Sequence, residues 1–299
     1  MSFWDTLIFI RGRSKIQFSY VPNLTSLCPG LNFALSQNAE RGGGMPRAAR
    51  MKSGTNFYHV IGRGINSERI FNQAREKNNF KRLLMKYQEK YEVEIYSYVI
   101  MSTHFHLLLR ADLKVLSSYM ASVLAEFAEY YNYKHNRNGH VFQNRFKSEC
   151  IENLQYFWNC MRYIHMNPVK ANVVKNPLKY KFSSLKEYET EKNQIIHLRA
   201  IEVYKTEFMD FQDYLEFHNK GVQYVFIDTP DEVLFQQQER AVAIINQEAH
   251  LMGLETAKEI IEDIVLREKY KKKLQIELQI SKRKAERLYR YVKRCIMGK

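Results

Sequence analysis

Residues 100–110 read Ile-Met-Ser-Thr-His-Phe-His-Leu-Leu-Leu-Arg, an aliphatic stretch that predicts a strand. Side chains at positions i and i+2 of a strand point to the same face, so His104 and His106 converge while Phe105 faces the other way. Two neutral imidazoles placed in this way can bind a divalent metal. An incidental pair of strand histidines is the alternative, and the spacing alone does not exclude it.

A helix is predicted over Tyr156–Lys170, with Asn153 suited to cap its N-terminus. Pro168 is expected to end this helix, because proline disfavours the helical conformation in the residue before it. Tyr163 and Asn167 are four residues apart and therefore share one face of the helix. Stacked over the histidine pair, they would form a compact site with a nucleophile and three metal ligands. Alternatively, Tyr163 packs in the core and Asn167 only caps the helix end.

Several motifs, taken in order, resemble the single-tyrosine HUH transposases of the IS200-like superfamily, above all the REP-associated tyrosine transposases and their domesticated relatives. The chain has His104-Phe105-His106 followed by three leucines, then VFQNRFKS at 141–148 and YIHMNPVKA at 163–171. Its segments 58–66 and 177–188 are also similar to that family. The resemblance covers about residues 45 to 190.

The resemblance implies a role for each residue of this site. His104 and His106 would be metal ligands, Tyr163 the nucleophile and Asn167 the third protein ligand. Mg²⁺ or Mn²⁺ would bind, because an oxygen-containing site with open positions suits hard cations. The implied activity is cleavage and rejoining of single-stranded DNA, in which the phenol attacks a phosphate and leaves a 5′-phosphotyrosyl link with a free 3′-OH. No nucleotide cofactor is expected, and the sequence contains no GxxxxGK[ST] phosphate loop.

The composition agrees with a nucleic-acid substrate. A formal net charge of +14 and a pI of about 9.4 favour binding to a phosphate backbone, and 20 tyrosines with 18 phenylalanines supply rings that could stack on unpaired bases. The expected partner is single-stranded or hairpin DNA. The basic residues expected to bind it are Arg63, Arg145, Lys147, Lys170, Lys282, Arg283 and Arg287.

Cysteine usage and hydropathy indicate the cellular location. Four unevenly spaced cysteines are typical of reduced thiols, and Cys150 and Cys160 in particular lack the CxxC partners of a zinc site. No apolar run approaches the ~20 residues of a membrane span, so no membrane partner is expected. The sequence therefore predicts a cytoplasmic, nucleoid-associated bacterial protein.

Three parts are expected along the chain. Residues 1–44 end in a glycine run and are interpreted as a non-native extension, with Met45 as the true initiator; a flexible extension is the alternative. Residues 45–190 are predicted to be one α+β domain, an antiparallel sheet with helices on one face, ferredoxin-like as in the HUH family. Residues 195–299 are predicted to be a separate, helical and basic domain, with a helix over Glu232–Ala249.

The end of the chain is strongly basic, with 13 basic and three acidic residues from Arg267 to Lys299. Ser281 is a suitable N-cap for an amphipathic basic helix, and a helix from Ala257 to about Tyr270 precedes it. This pair resembles a helix-turn-helix, whose second helix would enter the major groove. The alternative is a basic helix that touches phosphates without reading bases.

Two other functions remain open from the sequence. One is a DNA- or RNA-binding regulator that kept the fold and lost the chemistry. The other is a hydrolytic metal-dependent nuclease, in which water rather than Tyr163 attacks. The sequence does not decide the target DNA, the mobility of the element or whether the protein is a homodimer.

Overall fold

The computed structural model describes residues 49–192, 194–220, 224–228 and 230–298, and the backbone alone of Pro230 and Asp231. Residues from Arg50 onward form one compact unit. The extension predicted over residues 1–44 lies outside the described residues. Among the described residues, the strands are β1 (Phe57–Arg63), β2 (Glu94–Ile100), β3 (His104–Arg110) and β4 (Lys147–Cys150). The first helices are α1 (Ala74–Tyr91), α2 (Leu113–His135), α3 (Leu154–Lys170) and α4 (Leu185–Thr190). The later helices are α5 (Leu198–Glu207), α6 (Phe211–His218), α7 (Pro230–Leu251), α8 (Ala257–Glu262), α9 (Ile264–Glu277) and α10 (Lys282–Met297).

The four strands form one antiparallel sheet in the order β2-β3-β1-β4. With α1 before β2 and α2 before β4, the chain follows the βαββαβ order of a ferredoxin-like fold. The predicted α+β class is confirmed. Strand β3 lies inside the sheet, hydrogen-bonded to β2 on one side and to β1 on the other, so its histidines are held in a fixed register.

The two faces of the sheet carry different helices. Phe105 points to the face covered by α1 and α2, where its ring lies 4.7 Å from Phe80 and 6.3 Å from Phe71. His106 points to the opposite face, where α3 brings Tyr163 to within 5.5 Å, ring to ring. The helices α1 and α2 therefore lie on one face as expected, while α3 covers the other and gives the histidines their partners.

The outer edge of β2 is covered by the chain that follows α3. Ile100 N donates to Phe182 O, Ser184 N donates to Tyr98 O, and further along His197 N donates to Ile95 O. Uncovered strand edges invite pairing with other chains, so these hydrogen bonds protect the sheet. They also give the Phe-Ser-Ser motif at 182–184 a structural role.

Two predicted boundaries differ from the structure. Helix α3 continues through Pro168 to Lys170, because proline's fixed φ suits a helix and its missing N–H costs one hydrogen bond near the end. The helix expected from Ala257 to Tyr270 is two helices, since Asp263 is extended and caps α9 by accepting from Leu266 N.

The last four helices pack around a core of their own. Its buried side chains come from all of α7, α8, α9 and α10, and include Ile244, Ile260, Tyr270 and Leu288. Ser281 caps α10 by accepting from Lys284 N, as predicted. None of the helices that the structure describes is long and apolar enough to cross a membrane.

Candidate active site

The histidine pair on β3 presents two ring nitrogens to one point. His104 is 3% exposed and His106 is fully buried, with ring centroids 5.0 Å apart. Each uses its Nδ1 for a hydrogen bond within the protein: His104 to Thr103 Oγ1 at 2.9 Å and His106 to His59 Nε2 at 2.9 Å. Both Nε2 atoms are therefore the ones directed at the site.

His59 links the site to the neighbouring strands. It lies on β1, and its Nδ1 is 3.4 Å from the Glu149 carboxylate on β4. Contacts thus run from Glu149 to His59 and from His59 to His106. They fix the orientation of the His106 ring, as supporting hydrogen bonds do around metal ligands. His59 therefore lies directly behind the site.

Both candidate ligands are held in the neutral form. Burial lowers the pKa of His106 well below its usual value, and the nearby His104 and His59 lower it further. Burial also lowers the pKa of His104, although the Glu232 carboxylate acts in the opposite direction. Neutral imidazole is the form that binds metals, so the electrostatics fit a ligand pair.

Helix α3 places Tyr163 and Asn167 over the histidines. Asn153 starts the helix by accepting from Tyr156 N at 2.8 Å, which sets the phase of the turns that follow. Asn167 is 4% exposed, with its Nδ2 3.4 Å from His106 Nε2. The structure therefore brings Tyr163, Asn167 and both histidines together, as the spacing predicted.

A later segment of the chain covers Tyr163, which is only 5% exposed. The Phe226 ring stacks on the tyrosine ring at 4.9 Å and 28°, and Gln236 Nε2 donates to Tyr163 Oη at 3.1 Å. Phe226 N in turn donates to Gln236 Oε1 at 2.7 Å, which ties the two covering residues to each other. We call residues 224–228 and 230–239 the covering segment.

The covering segment also brings two carboxylates to the histidines. Asp228 Oδ2 lies 3.5 Å from His106 Nε2, and Glu232 Oε2 lies 3.7 Å from His104 Nε2. One donor atom from each of the four residues lies within 4.8 Å of the others. Sequence reasoning missed Phe226, Asp228, Glu232 and Gln236. The one sequence feature that points to any of them is the four-residue spacing of Asp228 and Glu232, the second of which begins the predicted helix.

The basic residues predicted to bind DNA are spread over the molecule. Lys170 is near the site, with its Nζ 5.5 Å from the centre of the Tyr163 ring and 3.0 Å from a Glu239 oxygen. Arg63 ends β1 opposite His104 and donates to Ser67 Oγ. The remaining five side chains are exposed: Arg145, Lys147, Lys282, Arg283 and Arg287.

His165, which lies between Tyr163 and Asn167, faces away from the site. It is fully buried, and its Nε2 lies 3.0 Å from Ser97 Oγ and 2.8 Å from Ser184 Oγ. Its Nδ1 lies 3.0 Å from His218 Nε2. This histidine therefore joins α3 to β2, to the start of α4 and to α6, and its role is structural.

Comparison with known proteins finds a family match over the part of the chain that carries the site. Residues 54–167 match the family model described as Transposase IS200 like. The chain is similar to the solved structure of a REP-associated tyrosine transposase bound to a REP hairpin, at 17% identity over 53% of this chain and 96% of the other, with a TM-score of 0.41. A structure described as a transposase from Deinococcus radiodurans R1 is similar at 13% identity over 45% and 98%, with a TM-score of 0.29. No curated protein matches the chain.

Proposed function

From the premise that residues 54–167 are an IS200-like transposase domain, we propose that the protein cleaves and rejoins single-stranded DNA through a 5′-phosphotyrosine intermediate. The observation that carries this proposal is the convergence of Tyr163 and Asn167 from α3 on the neutral pair His104 and His106. The matched segment contains all four residues.

The donor set fits a divalent cation. His104 and His106 would hold it through their Nε2 atoms, and Asn167 would join them through its amide oxygen. In this structure the Asn167 amide directs Nδ2 at His106. Rotation of the amide group by half a turn about the Cβ–Cγ bond exchanges the positions of its nitrogen and its oxygen. When bound, Mg²⁺ or Mn²⁺ would polarise a phosphate oxygen and fix the phosphate for attack.

The protein's own residues carry the transfer. Tyr163 Oη attacks phosphorus and loses its proton, the bond from phosphorus to the 3′ oxygen breaks, and the released strand end takes up a proton as a 3′-OH. The phosphotyrosyl bond retains the energy needed for rejoining, when a 3′-OH attacks it and the phenol is restored. A free phenol has a pKa near 10, so the reaction needs a positioned phosphate as well as the tyrosine.

DNA has to displace the covering segment before it can react. Tyr163 is 5% exposed, and both its ring and its hydroxyl are in contact with that segment. We therefore expect single-stranded DNA to enter between α3 and the covering segment, with Lys170 close to the phosphate that reacts.

The proposal is tested with hairpin DNA from the flanks of the protein's own gene, in Mg²⁺ or Mn²⁺, on a denaturing gel. The wild-type protein should give a covalent protein–DNA band that EDTA prevents. Tyr163→Phe should lose both the band and cleavage, because it removes only the attacking oxygen. Tyr91→Phe is the control, because this hydroxyl contacts Ser122 between α1 and α2, on the other face of the sheet, and it should keep the band.

The outcomes separate this function from the two alternatives. Cleavage that survives in Tyr163→Phe without a covalent band would instead indicate a hydrolytic nuclease. Binding of the same hairpin without cleavage, in a wild-type protein that binds Mn²⁺, would indicate a regulator that has lost catalysis.

A further inference from the structure

We propose that Asp228 and Glu232 are metal ligands. The DNA-free protein, in which Asn167 directs its amide nitrogen at His106, then binds Mn²⁺ through two histidines and two carboxylates. The inference rests on the proposed function, since it concerns the same metal site. It goes beyond it by taking two ligands from outside the IS200-like domain, which ends in the family match at Asn167.

The first support is convergence from two distant parts of the chain. His104 and His106 lie on β3, whereas Asp228 immediately precedes α7 and Glu232 lies in its first turn. The four donor atoms nevertheless lie within 4.8 Å of one another. Each carboxylate faces a different histidine, Asp228 at 3.5 Å from His106 and Glu232 at 3.7 Å from His104, so a single cation can lie between the two pairs.

The second support is charge. Two carboxylates face the same pair of imidazoles, and the Asp228 side chain is fully buried. A dication balances two carboxylates and takes imidazole nitrogens as further ligands.

The third support is that the segment bearing Asp228 is fixed in place. Ile227 N donates to Glu149 Oε2 at 3.4 Å, and the neighbouring Phe226 packs at 5.0 Å on the Tyr156 ring. Glu149 is the residue that also supports His59 behind the histidine pair. Glu149 thus helps to position both the segment that bears Asp228 and, through His59, the His106 ring, as outer hydrogen bonds do in other metal sites.

The ligand set selects among cations. Carboxylates suit Mg²⁺, Ca²⁺ and Mn²⁺, whereas imidazoles suit transition metals. A site with two of each therefore favours Mn²⁺ over Mg²⁺. The same segment places Phe226 and Gln236 on Tyr163, so metal binding by the carboxylates and covering of the nucleophile occur together.

The experiment measures metal binding without DNA. Full-length protein is stripped with EDTA, and Mn²⁺ is titrated by calorimetry into the wild type, Asp228→Asn, Glu232→Gln and the double variant. Each single change should weaken Mn²⁺ binding roughly tenfold or more, since removing a direct ligand costs at least as much as removing a supporting one. The Glu232 side chain is 34% exposed, so Glu232→Gln is not expected to unfold the protein.

Glu239→Gln is the matched control. Glu239 lies on the same helix and loses the same charge, but its carboxylate is paired with Lys170 rather than with the histidines. This variant should bind Mn²⁺ within about twofold of the wild type, which separates ligation from a general charge effect.

Cobalt spectroscopy gives a second readout. Co²⁺ bound by four protein ligands should show a strong visible absorption band, and the double variant should lose it as water replaces the carboxylates. An identical band and identical Mn²⁺ affinity in the wild type and the double variant would overturn the inference. If His104→Ala then abolishes binding, the histidine site stands and only the carboxylate ligands are refuted. If His104→Ala also leaves Mn²⁺ binding unchanged, the metal site of the proposed function fails as well.

Discussion

Single residues in this site are oriented by their neighbours through hydrogen bonds. His106 directs Nε2 at the site because Nδ1 is engaged by His59, and Thr103 acts in the same way on His104. Such contacts fix the tautomer and the ring orientation of a metal ligand before the metal binds. The site is therefore pre-organised on the rigid centre of the sheet.

His59→Phe should weaken Mn²⁺ binding roughly 10- to 100-fold, the usual effect of losing a supporting hydrogen bond. The phenyl ring keeps the packing against Tyr163 and Phe226, which lie 5.9 Å and 6.0 Å from the His59 ring, but cannot bond to His106. Titration of Mn²⁺ into the metal-free protein measures the effect. His140→Phe, at an exposed position, is the control and should bind as the wild type does. Unaltered affinity in His59→Phe would contradict the supporting role.

At the scale of elements, the register of β1 and β3 depends on a glycine. Gly62 pairs with Phe105, and a Cβ added to Gly62 would lie 2.5 Å from the Phe105 ring. The absence of a side chain at position 62 lets this ring lie flat on the sheet beneath α1 and α2. Gly62 thus serves the packing of the strands against each other.

Gly62→Ala should lower the free energy of unfolding by about 1–3 kcal/mol, because the methyl group forces the buried Phe105 ring to move. Urea denaturation followed by circular dichroism measures this change. The same substitution in a Phe105→Leu background should cost less, since the smaller side chain leaves room for the methyl. Equal costs in the two backgrounds would show that contact with the ring is not the cause.

Helix α10 carries three of the predicted DNA-binding residues on its exposed surface, Lys282, Arg283 and Arg287. Its opposite face is buried through Ala285, Leu288 and Val292 in the core of the last four helices. The helix is therefore anchored while its charges face solvent. Whether it reads bases or only contacts phosphates is a separate question from whether it binds.

Replacing Lys282, Arg283 and Arg287 together by Ala should weaken DNA binding and reduce its salt dependence. Each lost phosphate contact lowers the slope of log K against log salt by about 0.7 to 0.9. Fluorescence anisotropy at several salt concentrations measures this slope. Alanine at the exposed lysines 186, 192 and 205 is the matched control and should leave it unchanged. An equal decrease in both triple variants would rule out a specific role for α10.

On the scale of the whole molecule, buried histidines couple folding to pH. His165 and His218 lie 3.0 Å apart and join α3 to α6. Burial lowers the pKa of His218 to about 4 and that of His165 well below its usual value. The groups around the pair are Ser97, Ser184, Tyr214 and Arg162, and the last of these lowers the His218 pKa further.

Stability should therefore fall as the pH falls below about 6.5, the usual histidine value, because the unfolded chain binds protons that the folded chain does not. For His218 the decrease continues to about pH 4 and amounts to about 3 kcal/mol at 1.36 kcal/mol per pKa unit. Urea unfolding in EDTA across this range measures it. His218→Gln should lose that much less stability on acidification, whereas His140→Gln should follow the wild type. Parallel curves for all three proteins would refute the assignment.

The fold and half of the site could be predicted because they depend on local patterns. Alternation placed both histidines on one face of β3, and the four-residue spacing placed Tyr163 and Asn167 on one face of α3. Such periodicities reflect backbone geometry, which operates within a few residues. The same geometry predicted α7 closely, and helix capping predicted the starts of α3 and α10.

Only the tertiary structure decided what lies opposite those residues. Asp228 and Glu232 follow the histidines by more than a hundred residues, and their spacing is that of any exposed helix start. The chain returns over α3 and brings them to the site. The Phe226 ring stacks on Tyr163, and Ile227 N donates a hydrogen bond to Glu149, which fixes this return. Contacts of this kind join residues that are far apart in the sequence, so neither strand alternation nor helical spacing can predict them. The sequence by itself therefore determined that the two histidines share one strand face and that Tyr163 and Asn167 share one helix face. Packing alone decided that two carboxylates and the covering segment lie against them.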